Sequence, residues 1–192
     1  NSMKPLHGTG FDLFGAVYEH FASSKEKKEF GEYFTRRHYA HIFSKLLLKD
    51  EVYFNNSRKF TICDPACGTG GFLTESFKVL KNNYEINGTL NEEAINFLSE
   101  ECFYGIDVRE ENIARAKLNM FLVGYGHTHI NHLNTLTSKI EENFYSYVIT
   151  NPPYGNGTIK AETSSITTNR LEIAFLIKII NLLCDGGKAC VV

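Results

Sequence analysis

The sequence predicts an α/β fold, a mostly parallel sheet with helices packed on both faces. Short apolar runs rich in β-branched and aromatic residues alternate with longer stretches of helical spacing. One such run, Phe60-Thr61-Ile62-Cys63, leads straight into a glycine-rich turn and then a helical pattern from Phe72 to Leu80. Polar residues (Asp64, Asp107, Asn134 and Asn151) stand where successive runs end, which is where open α/β sheets hold their ligands.

The bulk properties suit one domain. The chain has 192 residues, 43% of them hydrophobic and 22% charged, ordinary values for a globular protein with a full core. The formal net charge is −2, so no basic excess advertises nucleic acid. If DNA is the substrate, local patches, a missing segment or a partner must supply much of the phosphate contact. The five cysteines are odd in number and sit mostly in apolar runs, as reduced core residues of a cytoplasmic protein do. No apolar stretch is long enough to span a membrane and no signal peptide is visible.

Taken in order, residues 1–30 form a helical segment, with Phe11, Phe14, Tyr18 and Phe21 at helical spacing before a charged connection. It packs as a lid on the main domain, residues 31–192. Thr35 can cap a helix bearing Tyr39, Ile42, Phe43, Leu46 and Leu47 on one face. The preceding Tyr33-Phe34 pair can wall a cofactor pocket, although spacing alone favours a hydrophobic staple. The helix after the glycine turn gives way to a loop over 83–90, and Asn91 caps the next helix. The second strand, Cys102 to Ile106, ends in Asp107. That carboxylate suits either the ribose hydroxyls of an adenosine cofactor or the cap of the helix Glu110–Val123. His127, His129 and His132 alternate along a half-exposed third strand, and no carboxylate or cysteine completes a metal set. Asn134 ends that strand within reach of a cofactor base. Phe144 to Thr150 is the fourth strand, Gly155 to Thr168 a loop, and Asn169 or Arg170 opens an apolar helix. After Asp185-Gly186-Gly187 a fifth strand begins at Lys188. Right-handed crossovers bring the glycine turn and Asn151 to the same edge, beside the topological switch point.

The glycine turn is not a phosphate loop. No lysine follows the glycines, and Phe72 stands where a phosphate or metal ligand is wanted. Its order, Gly68-Thr69-Gly70-Gly71 after Asp64, is also not G-x-G-x-x-G. An acid at the end of the first strand suits a ligand carrying an amine or sulfonium, such as S-adenosylmethionine. Asp64 would bind the amino group, Gly68 and Gly70 would let the backbone approach, and Asp107 would hold the ribose.

Asn151-Pro152-Pro153-Tyr154 fits a planar amine. Each proline fixes its own φ and restricts its predecessor. The Asn151 side-chain oxygen and the Pro152 carbonyl can each accept one N–H of an exocyclic amino group. These acceptors are pre-set, so little reorganisation is needed as charge develops. Tyr154 offers a face for a purine taken out of its helix. A rigid turn with an Asx cap explains Asn and Pro separately, but not the aromatic that follows them or the acid and glycines alongside.

With these motifs placed, the chain resembles the N6-adenine DNA methyltransferases, and more narrowly the modification subunit of type I restriction-modification systems. The resemblance rests on Gly31 to Thr35, Asp64 to Leu73, Gly105-Ile106-Asp107 with the helix to Asn119-Met120, Asn151 to Tyr154, and Gly186 to Ala189. It implies a Rossmann-like, S-adenosylmethionine-dependent methyltransferase fold. It puts Tyr33, Phe34 and Thr35 at the methionine end of the cofactor, with Asp64, Ala66, Gly68, Thr69, Gly70, Asp107 and Asn134 around it. Asn151, Pro152 and Tyr154 become catalytic, and Asn151, Pro153 and Tyr154 hold the flipped adenine. The implied partners are DNA and the specificity and restriction subunits; no metal is implied. Rival readings are a protein-glutamine or RNA methyltransferase, or a catalytically idle cofactor-binding assembly module. Two departures from the family stand out. Arg36 replaces the usual proline after Phe-Thr, which predicts a small change in helix entry. The chain also stops in the fifth strand, where the family's sheet continues with two more, so the chain reads as a fragment with an apolar edge.

Overall fold

The computed structural model describes residues 35–51, 59–124, 129–163 and 166–192. Tyr33, Phe34, His127 and the 1–30 segment therefore lie outside the described residues. The elements are α1 (Arg37–Leu48), β1 (Ile62–Asp64), α2 (Gly71–Ile86), α3 (Glu92–Glu100), β2 (Phe103–Asp107), α4 (Glu110–Val123), β3 (His129–His132), β4 (Tyr145–Thr150), β5 (Asn156–Thr163), β6 (Ile166–Arg170), α5 (Leu171–Leu182) and β7 (Leu183–Val191).

Five strands form one sheet in the order β3-β2-β1-β4-β7, every neighbouring pair parallel. The chain builds outward from β1 through β2 to β3, then returns to lay β4 on the other side of β1. That reversal makes the gap between β1 and β4 the switch point. Both faces are buried. On one, Ile62, Phe103, Ile130, Tyr147 and Ile149 join the apolar faces of α1 to α4. On the other, Cys63, Ile106, Tyr145 and Val148 meet Ile179 and Leu182 of α5. Adjacent residues of β1 and β4 thus serve different cores, which is why these strands are apolar throughout rather than alternating.

Local chemistry accounts for most boundaries. Asn91 caps α3 by accepting the Ala94 N–H at 2.8 Å. Four differences from the sequence reading have physical causes. First, α2 runs on to Ile86 instead of yielding to a loop at residue 83, because Tyr84 is fully buried. The chain turns only at Asn87 and Gly88, where Gly88 takes φ +65°.

Second, Arg36 rather than Thr35 occupies the cap position of α1, and no side chain caps it. Arg36 has φ −56° and ψ 135° there. This φ lies in the range that proline enforces, so arginine enters the helix along a proline-like path. Third, residues 155–168 are not simply a loop, since β5 and β6 pair antiparallel as a ribbon. Fourth, β7 begins at Leu183 rather than Lys188. Its register with β4 jumps from Tyr145↔Leu183 to Tyr147↔Lys188, so Asp185-Gly186-Gly187 forms an irregularity inside the strand. Gly186 makes this possible at φ +75°.

Candidate active site

The carboxyl ends of β2, β1 and β4 lie side by side and bring together Asp107, Asp64 and the Thr150-Asn151 step. Asp64 is 1% exposed. Its Oδ1 accepts the Ala66 N–H at 3.1 Å. Burial pushes the carboxyl up to about 7 and neighbouring Asp107 adds to the rise, while the Thr150 hydroxyl and the Ala66 N–H draw it down. An acid poised in this way ionises readily when a cation arrives, as a group binding an ammonium needs to do.

Long-range hydrogen bonds hold the glycine turn in shape. The Cys67 N–H donates to the Ile106 carbonyl at 2.9 Å, and the Gly68 N–H donates to Asp107 Oδ2 at 2.9 Å. The Asn119 side-chain amide of α4 donates to the Thr69 carbonyl at 2.9 Å. The Thr135 hydroxyl, buried in the turn after β3, donates to the Pro65 carbonyl at 2.5 Å.

The glycines divide the work. Gly68 has φ +52°, and a Cβ built on it would meet nothing within 4 Å, so this backbone borders open space. Gly70 was expected to admit a ligand as well. At φ +82° its Cβ would instead press on Ala116 at 3.2 Å, so it lets the start of α2 close on α4. Thr69 is buried and turned inward, and the Ala66 N–H is committed to Asp64.

Asp107 could have served ribose or a helix cap. Its Oδ1 accepts the Arg109 N–H at 2.9 Å and the Asn112 amide at 3.1 Å, while Oδ2 takes Gly68. Since a carboxylate offers about four acceptor sites, room for a ligand hydrogen bond remains. Asn134 closes an Asx turn, its Oδ1 accepting the Leu136 N–H at 3.0 Å.

At the end of β4, Asn151 and Pro153 are half-buried, Pro152 is buried and Tyr154 is 42% exposed. The Tyr154 hydroxyl donates to the Val192 carbonyl, which ties down the tip of the ring. The backbone after the motif is anchored to α5. Leu171 N–H donates to the Gly155 carbonyl at 2.8 Å, and Gly155 N–H donates to Glu172 at 3.2 Å.

The histidines stand apart from this edge. His129 and His132 bond the backbone carbonyls of Glu100 and Val108, and no group able to hold a metal occurs among the described residues. The sequence reading missed Thr135, Asn119, Ala116 and Thr150. Asn119 carried a signal, as a polar residue on the α4 face that also bears Ile113, Ala116, Met120 and Val123.

Known proteins share parts of this sequence and this fold. Over 188 residues the chain is 29% identical to the methylase subunit of the type I restriction enzyme EcoEI from Escherichia coli, covering 94% of this chain and 36% of that one. Over 194 residues it is 26% identical to the type II restriction enzyme and methyltransferase RM.BcgI of Heyndrickxia coagulans, covering 98% and 28%. The crystal structure of the EcoKI M protein superposes with a TM-score of 0.66 at 26% identity, over 84% of this chain and 34% of that chain. The chain thus spans about a third of the length of these relatives. The family model described as N-6 DNA Methylase matches residues 9–192. The chain therefore belongs to the N-6 DNA methylase family.

Proposed function

We propose that residues 31–192 form the methyl-transfer domain of a site-specific adenine-N6 DNA methyltransferase of a restriction-modification system. The observation that carries this reading is the Asn151-Pro152-Pro153-Tyr154 turn at the end of β4, set across the switch point from buried Asp64 and the open backbone at Gly68. The pocket residues fit S-adenosylmethionine, with Asp64 for its ammonium, Asp107 for its ribose, Asn134 for its base and Gly68 for close approach. Thr35, at the entry of α1, completes the methionine end together with Tyr33 and Phe34. Bound there, S-adenosylmethionine supplies an electrophilic methyl group. The chain's own task is to present the amine. The Asn151 side-chain oxygen and the Pro152 carbonyl accept its two N–H groups and raise electron density on nitrogen, while Pro153 stiffens the turn and Tyr154 stacks on the flipped base. The DNA sequence would be read by a specificity subunit, consistent with the net charge of −2, and a restriction subunit would complete the system.

The test is transfer of labelled methyl groups to unmethylated DNA by the protein assembled with its DNA-reading partner. Asn151→Ala is expected to lower kcat by about 100- to 1,000-fold with cofactor affinity largely kept. Asp107→Ala should weaken the cofactor first, since it also releases the Gly68 N–H. Label appearing in RNA or in a glutamine side chain of a protein, and not in DNA, would overturn the reading.

A further inference from the structure

The carboxyl ends of β1, β2 and β3 are laced together by bonds between their turns. Leu133 N–H donates to the Asp107 carbonyl at 3.1 Å, and Cys67 N–H donates to the Ile106 carbonyl at 2.9 Å. The third tie differs in kind, because a side chain makes it. Thr135, 3% exposed, donates its hydroxyl to the Pro65 carbonyl at 2.5 Å.

That carbonyl belongs to the same peptide unit as the Ala66 N–H, which donates to Asp64 Oδ1 at 3.1 Å. In a trans peptide the C=O and the N–H point in opposite directions from one rigid plane. The plane turns about Pro65 ψ and Ala66 φ, which the proline ring leaves free. A donor held on the carbonyl therefore sets where the N–H points. It also polarises the amide, so the N–H becomes a better donor to a carboxylate. We propose that Thr135 is a positioning residue of the methyl-donor site: its hydroxyl fixes the Pro65–Ala66 plane so that the Ala66 N–H orients the Asp64 carboxylate. The inference rests on the reading of Asp64 as the group that faces the donor's ammonium.

The turn that carries Thr135 is itself held firmly. Asn134 Oδ1 accepts the Leu136 N–H at 3.0 Å, and the Asn134 carbonyl accepts the Thr137 and Ser138 N–H groups at 3.2 and 2.8 Å. Pro65 is buried as well, so removing the hydroxyl leaves a buried carbonyl without its donor. Around Asp64, burial and the like charge of Asp107 oppose ionisation, and the Ala66 N–H favours it. Adjacent residues of one turn thus serve the two ends of the ligand, Asn134 its base and Thr135, through Ala66, its ammonium.

Thr135→Val removes the hydroxyl and keeps the shape, whereas Thr135→Ser keeps the hydroxyl. Calorimetry on the full-length protein would compare S-adenosylhomocysteine, which carries the ammonium, with 5′-methylthioadenosine, which lacks the amino-acid end. The valine variant should bind S-adenosylhomocysteine about tenfold more weakly and 5′-methylthioadenosine as tightly as the wild type does, and serine should restore the loss. The Ala66 amide-proton resonance should move upfield in Thr135→Val and return in Thr135→Ser. Should valine prevent folding, Thr135→Cys keeps a weaker donor in a similar volume and takes the same comparison. Equal weakening of both ligands, or an Ala66 resonance that stays in place, would overturn the proposal, because a threonine that only packs disturbs the pocket as a whole. A moved Ala66 resonance in a protein whose Asp64→Asn variant binds S-adenosylhomocysteine as tightly as the wild type would support the Thr135–Ala66 link and would fail the ammonium reading instead.

Discussion

Burial pushes Asp64 up to about 7, and this has a cost for the ligand-free fold. An unfolded aspartate ionises near 3.9, so between about pH 4 and pH 7 the unfolded chain releases a proton that the folded chain keeps. Stability falls as pH rises through that window and levels off above it. Asp64→Asn removes the titration. It is expected to be more stable than the wild type at pH 8 by up to about 4 kcal/mol, with the gap closing near pH 4. Denaturant unfolding across pH would measure this, and the same variant should lose S-adenosylmethionine binding. A site residue that destabilises its own fold is a familiar cost of function. Asp64 was legible from sequence because an acid ending a buried strand is a local pattern. Its poise was not, because Asp107 and Thr150 come from strands far along the chain.

The glycine turn shows how an element sorts residues that look alike in sequence. Gly68 and Gly70 sit within one motif, yet Gly68 borders open space while Gly70 rests on Ala116. Gly70→Ala is therefore expected to lower stability by about 1–3 kcal/mol through φ strain and overpacking. Gly68→Ala also meets an unfavourable positive φ, but no atom opposes its methyl. It should cost less stability and proportionately more cofactor affinity. Thermal melts set beside calorimetric binding of S-adenosylmethionine would separate the two. Equal losses of stability and affinity in both variants would show that the division is wrong. The irregularity in β7 makes a related point. Asp185-Gly186-Gly187 reads as a stop, but pairing with β4 on both sides draws those residues into one strand.

Across the whole molecule, α1 is attached to the sheet domain by polar contacts as well as by its apolar face. Glu75, buried on α2, meets His41 at 3.0 Å and Lys78 at 2.6 Å. Ser44 and Ser76 hydrogen-bond at 3.0 Å in the same interface. At the far end, the Asn83 amide donates to the Leu48 carbonyl at 3.0 Å, and the Tyr147 hydroxyl of β4 donates to Glu51. These ties hold the helix that Thr35 enters. Glu75→Ala is expected to speed hydrogen exchange in α1 by about tenfold or more, with β1 and β4 amides unchanged. Uniform acceleration would mean that α1 and the sheet open as one unit.

The sequence by itself determined the alternation of strands and helices, the turn chemistry of the glycines and prolines, and the placement of Asp64, Asp107, Asn134 and Asn151 at strand ends. Those features depend on residues within a few positions of one another, through apolar periodicity, fixed φ and helix capping. Only the tertiary structure decided which glycine faces open space, how far Asp107 is already engaged, and what braces the turn from behind. Thr135 reaches Pro65 from 70 residues away, and Asn119 reaches Thr69 from 50. Contacts at that separation exist only because parallel crossovers return successive strand ends to one edge, and a chain read locally carries no trace of them.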